Sequence, residues 1–159
     1  MTAEIANLTN VLECKLALLH ELTRELRACR GAYLGMDLEA IYAHTAKQTL
    51  ICEKLRSNEY QRARAWRAAS ASSGQLANHG TLTAWIQTLE PALGEQFRHL
   101  LTALAVAEGE VRHINHIHTV LLEGTRRTLH VLANAMATLA PMYAPPAALE
   151  NISAVRTRA

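Results

Sequence analysis

The chain has 159 residues, enough for one domain in which roughly 70% of the unfolded surface is buried on folding. Half of them are apolar, mostly Ala and Leu with one Phe and two Trp, a composition that favours helices packed along shared seams and disfavours strands. With 16 basic and 14 acidic residues the formal charge is +2, which removes any electrostatic case for binding a nucleic-acid duplex or an anionic membrane.

The opening residues Met1-Thr2-Ala3-Glu4-Ile5 form neither a basic n-region nor an apolar h-region. No stretch approaches the ~18 apolar residues of a membrane span, so neither secretion nor integral membrane insertion is expected. From Ile5 onward the apolar residues keep a heptad, with Ile5, Leu12, Leu19, Leu26 and Tyr33 on one line and Leu8, Leu22 and Cys29 on the other. Only Lys15 interrupts it. This spacing predicts a helix over 3–34 that needs a partner helix. Gly35 is expected to end it, and Asp37 to cap the next helix, 37–68, whose stripe reads Leu38, Ile41, Thr45, Cys52 and Leu55. So short a link forces the two helices antiparallel. Cys14, Cys29 and Cys52 are an odd set without CxxC spacing and read as reduced thiols.

Small and turn-forming residues predict a loop over 69–80. Thr81 can cap a short helix over 81–89 carrying Leu82, Trp85, Ile86 and Leu89, and Pro91 suits the first position of another. The last helix, 91–139, carries a stripe of Leu93, Phe97, Leu100, Leu104, Ala107, Val111, Ile114, His118, Leu121, Thr125, Leu132 and Leu139. Over about 48 residues it spans ~70 Å and should outreach the hairpin beside it. Past Ile114, further apolar residues (Ile117, Val120, Leu122, Val131, Ala133, Met136) widen the face beyond what one partner covers. Pro141 is expected to stop the helix. The expected architecture is all-α: an antiparallel hairpin packed with a long C-terminal helix in one coiled-coil-like domain, 1–140, followed by a disordered, flexible tail, 141–159.

Chemistry has little footing. Glu110 and His113 have the Glu-x-x-His spacing of di-iron bundles, but no second such pair exists, and His113 with His116 alone makes a weak metal site. There is no Gly-x-Ser-x-Gly turn and no glycine-rich phosphate cradle. Arg56, Arg62, Arg64 and Arg67 read as a solvated face. His20 is the candidate if the bundle were a histidine phosphotransfer domain, although its surroundings lack the pattern of such domains. No enzyme activity, cofactor or metal is expected.

Residues 112–124, Arg-His-Ile-Asn-His-Ile-His-Thr-Val-Leu-Leu-Glu-Gly, resemble the segment of the FlgN family in which a Leu/Ile-Asn pair is followed by Leu-Leu-Glu or a close variant. The turn Tyr33-Leu34-Gly35-Met36-Asp37-Leu38, the segment Thr45-Ala46-Lys47-Gln48 and the post-helix Met142-Tyr143-Ala144-Pro145-Pro146 are similar to further features of that family, in the same order. Ala144-Pro145-Pro146 departs from the usual Gly-containing turn. The resemblance implies a cytoplasmic chaperone, transiently at the flagellar export apparatus. It would hold hook-filament junction proteins of the FlgK and FlgL type before type III secretion, without nucleotide hydrolysis.

Partners would then be junction proteins and export-gate components, with no nucleic acid. The substrate-protein-binding face is expected at Leu121, Leu122, Leu129, Leu132 and Met136, with Asn115 and Glu123 as polar determinants beside it. By resemblance, Tyr143 would contact the export gate. A seam of this length also suits pairing with a second copy as a homo-oligomer. The alternative without a secretion role is a structural coiled-coil adaptor.

Overall fold

The computed structural model describes the backbone of residues 2–72 and 81–143 and the side chains of residues 2–71 and 81–137. The described residues form four helices: α1 (Ala3–Leu34), α2 (Leu38–Ser72), α3 (Leu82–Ile86) and α4 (Pro91–Tyr143). Among the described residues there is no strand. The chain divides into two compact units, Met1–His116 and Ile117–Ala159, and the division falls within α4.

In the first unit α1 and α2 form an antiparallel hairpin. Asn58 Nδ2 donates to Val11 O at 3.0 Å, Lys15 Nζ lies 3.6 Å from Glu59, and His44 Nδ1 lies 2.7 Å from Glu25. Val11 and Lys15 early in α1 thus meet residues late in α2, and Glu25 late in α1 meets His44 early in α2. The link is a Schellman motif: Met36 N–H donates to Tyr33 O and Asp37 N–H to Ala32 O, satisfying two carbonyls at the end of α1. Gly35 itself stays right-handed, and the left-handed position falls on Met36, with φ of 56°. Glycine therefore stands one residue before the place where its freedom is needed. Asp37 caps α2 as expected, its Oδ1 accepting from Ala40 N–H at 3.0 Å.

The packed face of α2 keeps Leu55 and the half-buried Ile41 of the expected stripe and departs from it elsewhere. Leu38, Thr45 and Cys52 are exposed, and the packed line is His44, Gln48, Ile51, Leu55, Asn58, Arg62, Ala65 and Ala69. Half of that line is polar, so counting apolar residues finds only part of the stripe. Its polar members are bonded: His44 to Glu25, Gln48 Nε2 to Glu25 O at 3.3 Å, Asn58 to Val11 O, and Arg62 Nε to Glu59 at 2.8 Å. The helix also continues to Ser72, four residues past the expected end. Ala69, wholly buried in one core cluster with Trp85, is small because neighbours pack closely on it and not because the chain turns there. Residues 73–80 of the expected loop lie outside the described residues.

Within the first unit α4 runs parallel to α1. Ile5, Leu8 and Leu12 share a core cluster with Phe97 and Leu104, and further along Leu22 and Leu26 cluster with Ile51 and Ile114. Lys15, the break in the α1 heptad, lies between the other two helices, near Glu59 of α2 and 2.8 Å from Glu108 of α4. One ammonium facing both partners in a seam position opposes register slips, because a slip would strand a partly buried charge. Arg27 pairs with Glu110 one end further along.

Thr81 caps α3 through Ala84 N–H at 3.3 Å, and α3 ends at Ile86, three residues before the expected 89. Its Trp85 has no exposed surface and stands edge-on between Trp66 and Phe97, at centroid distances of 5.3 and 5.6 Å. Pro91 opens α4 as expected. The helix does not stop before Pro141 but runs through it to Tyr143. Proline lacks the N–H that would donate to the carbonyl four residues back, so the helix gives up one backbone hydrogen bond there.

Candidate functional site

On α4 a single heptad, read a = Phe97, Leu104, Val111, His118, Thr125, Leu132 and d = Leu93, Leu100, Ala107, Ile114, Leu121, Thr128, Ala135, persists through both units. In the first unit its residues are buried or half-buried. In the second, every side chain from Thr119 to Ala137 is exposed. The large apolar ones range from 39% exposed at Leu121 to 71% at Met136, with Val120, Leu122, Leu129, Val131 and Leu132 between.

Helix geometry at 3.6 residues per turn brings five of the expected residues together. Leu121, Leu132, Met136, Leu129 and Leu122 fall within an arc of about 100°, and Val131 and Val120 widen it to about 200°. No charged side chain lies inside that arc. Arg126, His130, Glu123 and Arg127 occupy the opposite side. Glu123 is thus separated from the apolar contact that it was expected to border, because two residues in sequence from Leu121 are about 200° around the helix. Asn115 belongs to the first unit, exposed beside the buried Ile114. Tyr143 is the last residue of α4 and not a residue beyond a helix stop, and the export-gate contact expected of its ring concerns a side chain outside those described.

Sequence reasoning missed a second apolar patch, in the first unit at the tip of the hairpin: Leu34, Met36, Leu38 and Tyr42, of which Met36 is 80% exposed. Leu38 had been assigned to the seam. A signal was available in the four-residue step from Leu38 to Tyr42, which share one side of the first turns of α2, whereas Leu34 and Met36 come beside them only through the turn.

The polar groups offer no assembled chemistry. Among the described residues no three His, Cys, Asp or Glu side chains come together as metal ligands. Glu110 is engaged by Arg27, and His113 and His116 are exposed. His20 is exposed on α1, on a shallow groove with Thr23, Arg24, Arg27 and Glu110. The resolved titration shifts trace to surface ion pairs in the first unit. A side-chain hydrogen bond from Arg62, assisted by Lys15, holds the Glu59 carboxyl below the ordinary glutamate value, and Arg98 does the same for Glu95. Cys14 and Cys52 are exposed thiols and Cys29 a buried one, none in a disulfide. No helix among the described residues is long and apolar enough to cross a membrane.

What fold and face define together is an all-helical protein with an uncovered apolar helix surface. The chain matches no family model, no curated protein and no solved structure.

Proposed function

We propose that the protein is a cytoplasmic export chaperone of the FlgN kind, which holds hook-filament junction proteins of the FlgK and FlgL type before their secretion through the flagellar type III apparatus, and which catalyses no reaction. The observation that supports this reading is the uncovered, uncharged apolar face of α4 between Val120 and Met136. A face of this width suits a helical client segment laid along it, with Leu121, Leu122, Leu129, Leu132 and Met136 as anchors. Burial of each is worth roughly 1.5–3 kcal/mol before the ordering cost of the client. The sequence likeness around residues 112–124 supplies the class of client.

The test is calorimetric titration of the C-terminal segments of junction proteins into the wild-type chain and into the double variant Leu122→Asp, Leu129→Asp. Loss of two apolar anchors should weaken binding at least ~100-fold. Circular dichroism of the double variant should stay unchanged, because both side chains are exposed. Unchanged affinity in the double variant would remove the face from the client site. Absence of binding by the wild-type chain, with capture of a constitutive coiled-coil partner instead, would favour the structural adaptor.

A further inference from the structure

We infer that the second half of α4 pairs with the same segment of a second copy of this chain, antiparallel, about a two-fold axis between Arg126 and Arg127. The second copy would occupy the same face as the proposed client, which would bind by displacing it, and the inference is argued from register, charge and area.

The first is register. In an antiparallel two-helix pair, a positions of one helix face d positions of the other. With the axis between Arg126 and Arg127, Leu121 meets the second copy's Leu132 and Thr125 meets Thr128, each contact occurring twice, while His118, buried within its own chain, lies outside the free face. The flanking e line is Leu122, Leu129 and Met136, and it approaches itself with Leu122 beside Leu129. The flanking g positions are Gly124 and Val131, small enough for close approach. Every large apolar residue of the face except Val120 is used, and each meets another apolar or a small residue.

Charge is the second observation. Flanking positions usually carry the charges that select a partner of opposite pattern, and here they carry none. Glu123, Arg126 and Arg127 stand on the far side, so nothing repels an identical helix.

Area is the third. Exposed side chains from Val120 to Met136 offer on the order of 600 Å² per chain, close to the ~800 Å² that each partner contributes to a stable interface.

Sedimentation equilibrium of the full chain from roughly 1 to 100 µM reads the association, and the expected result is a dimer with a micromolar Kd. Leu121→Asp with Leu132→Asp should raise that Kd at least ~100-fold, with helicity and the unfolding midpoint of the first unit unchanged. Register is read by oxidising a mixture of Leu121→Cys chains and Leu132→Cys chains, both carrying Cys14→Ser and Cys52→Ser. The expected product is the mixed 121–132 cross-link. A monomer at the highest concentration, a dimer indifferent to the two aspartates, or a dominant 121–121 cross-link would each overturn the inference. The client titration is read separately, so a chain that is monomeric without client at the highest concentration yet captures junction proteins would defeat the dimer and leave the proposed function standing.

Discussion

The two parts of α4 carry one pattern and meet opposite fates. In the first unit Phe97, Leu104, Ala107 and Ile114 are buried among residues of α1, α2 and α3, whereas in the second Leu121, Leu132 and Met136 lie open. A heptad reports which side of a helix requires a partner. Whether that partner belongs to the same chain is decided by how far the neighbouring helices reach, and no residue of α4 encodes it.

Truncations in the packed first unit and in the open second half of α4 must therefore differ sharply in cost. The largest expected effect is at Trp85, where removal of a wholly buried ring that two other aromatic rings contact should make Trp85→Ala about 3–5 kcal/mol less stable in urea unfolding. Leu129→Ala, measured on chain too dilute to associate, should stay within about 0.5 kcal/mol of wild type. Similar losses from both would mean that the second half of α4 is core.

A smaller effect tests the hairpin tip, which is in the packed unit yet carries exposed apolar side chains. Met36 holds a left-handed conformation that favours glycine and has most of its surface in water. Met36→Gly should therefore stabilise the chain by about 0.5–1 kcal/mol, read as a rise in thermal midpoint. A loss of stability would show that the methionine side chain contributes packing that outweighs its backbone strain.

The smallest expected effect concerns Glu59, which faces Lys15 and Arg62. Its carboxyl titrates below the ordinary range in the folded chain, so its contribution is complete above the unfolded glutamate value and is lost as pH falls through the folded one. Glu59→Gln should be less stable than wild type near pH 6 by under ~1 kcal/mol, since the side chain is half exposed and screened. The two proteins should converge once the pH has fallen below the titration of the folded carboxyl. A difference that persists in acid would assign the effect to packing and not to charge.

Where apolar residues form the seam, as in α1 and the first half of α4, the sequence identified the packed face directly. In α2 it did not, because His44, Gln48, Asn58 and Arg62 occupy the seam, and their hydrogen bonds to α1 or to the adjacent Glu59 turn supply what apolar burial supplies elsewhere. Lys15 is the same lesson from the other side, an apparent flaw in a heptad that becomes intelligible once Glu59 and Glu108 are seen on either hand. Five residues of the expected binding face do share one arc, since helical periodicity alone places them. Glu123 does not join it, for the same geometric reason.

By itself, then, the sequence determined that this chain is helical, where α1 starts and ends, that Asp37 and Thr81 cap their helices, and that α4 is amphipathic through most of its length. These are local facts, set within a few residues by periodicity, propensity and side-chain to backbone hydrogen bonds. Only the tertiary structure decided which stripe of α2 is inside, why Lys15 is tolerated, that Ala69 is core and that the apolar face from Val120 onward stays open. Each of these depends on atoms far away in the chain, and a residue's own neighbours in sequence carry no information about them.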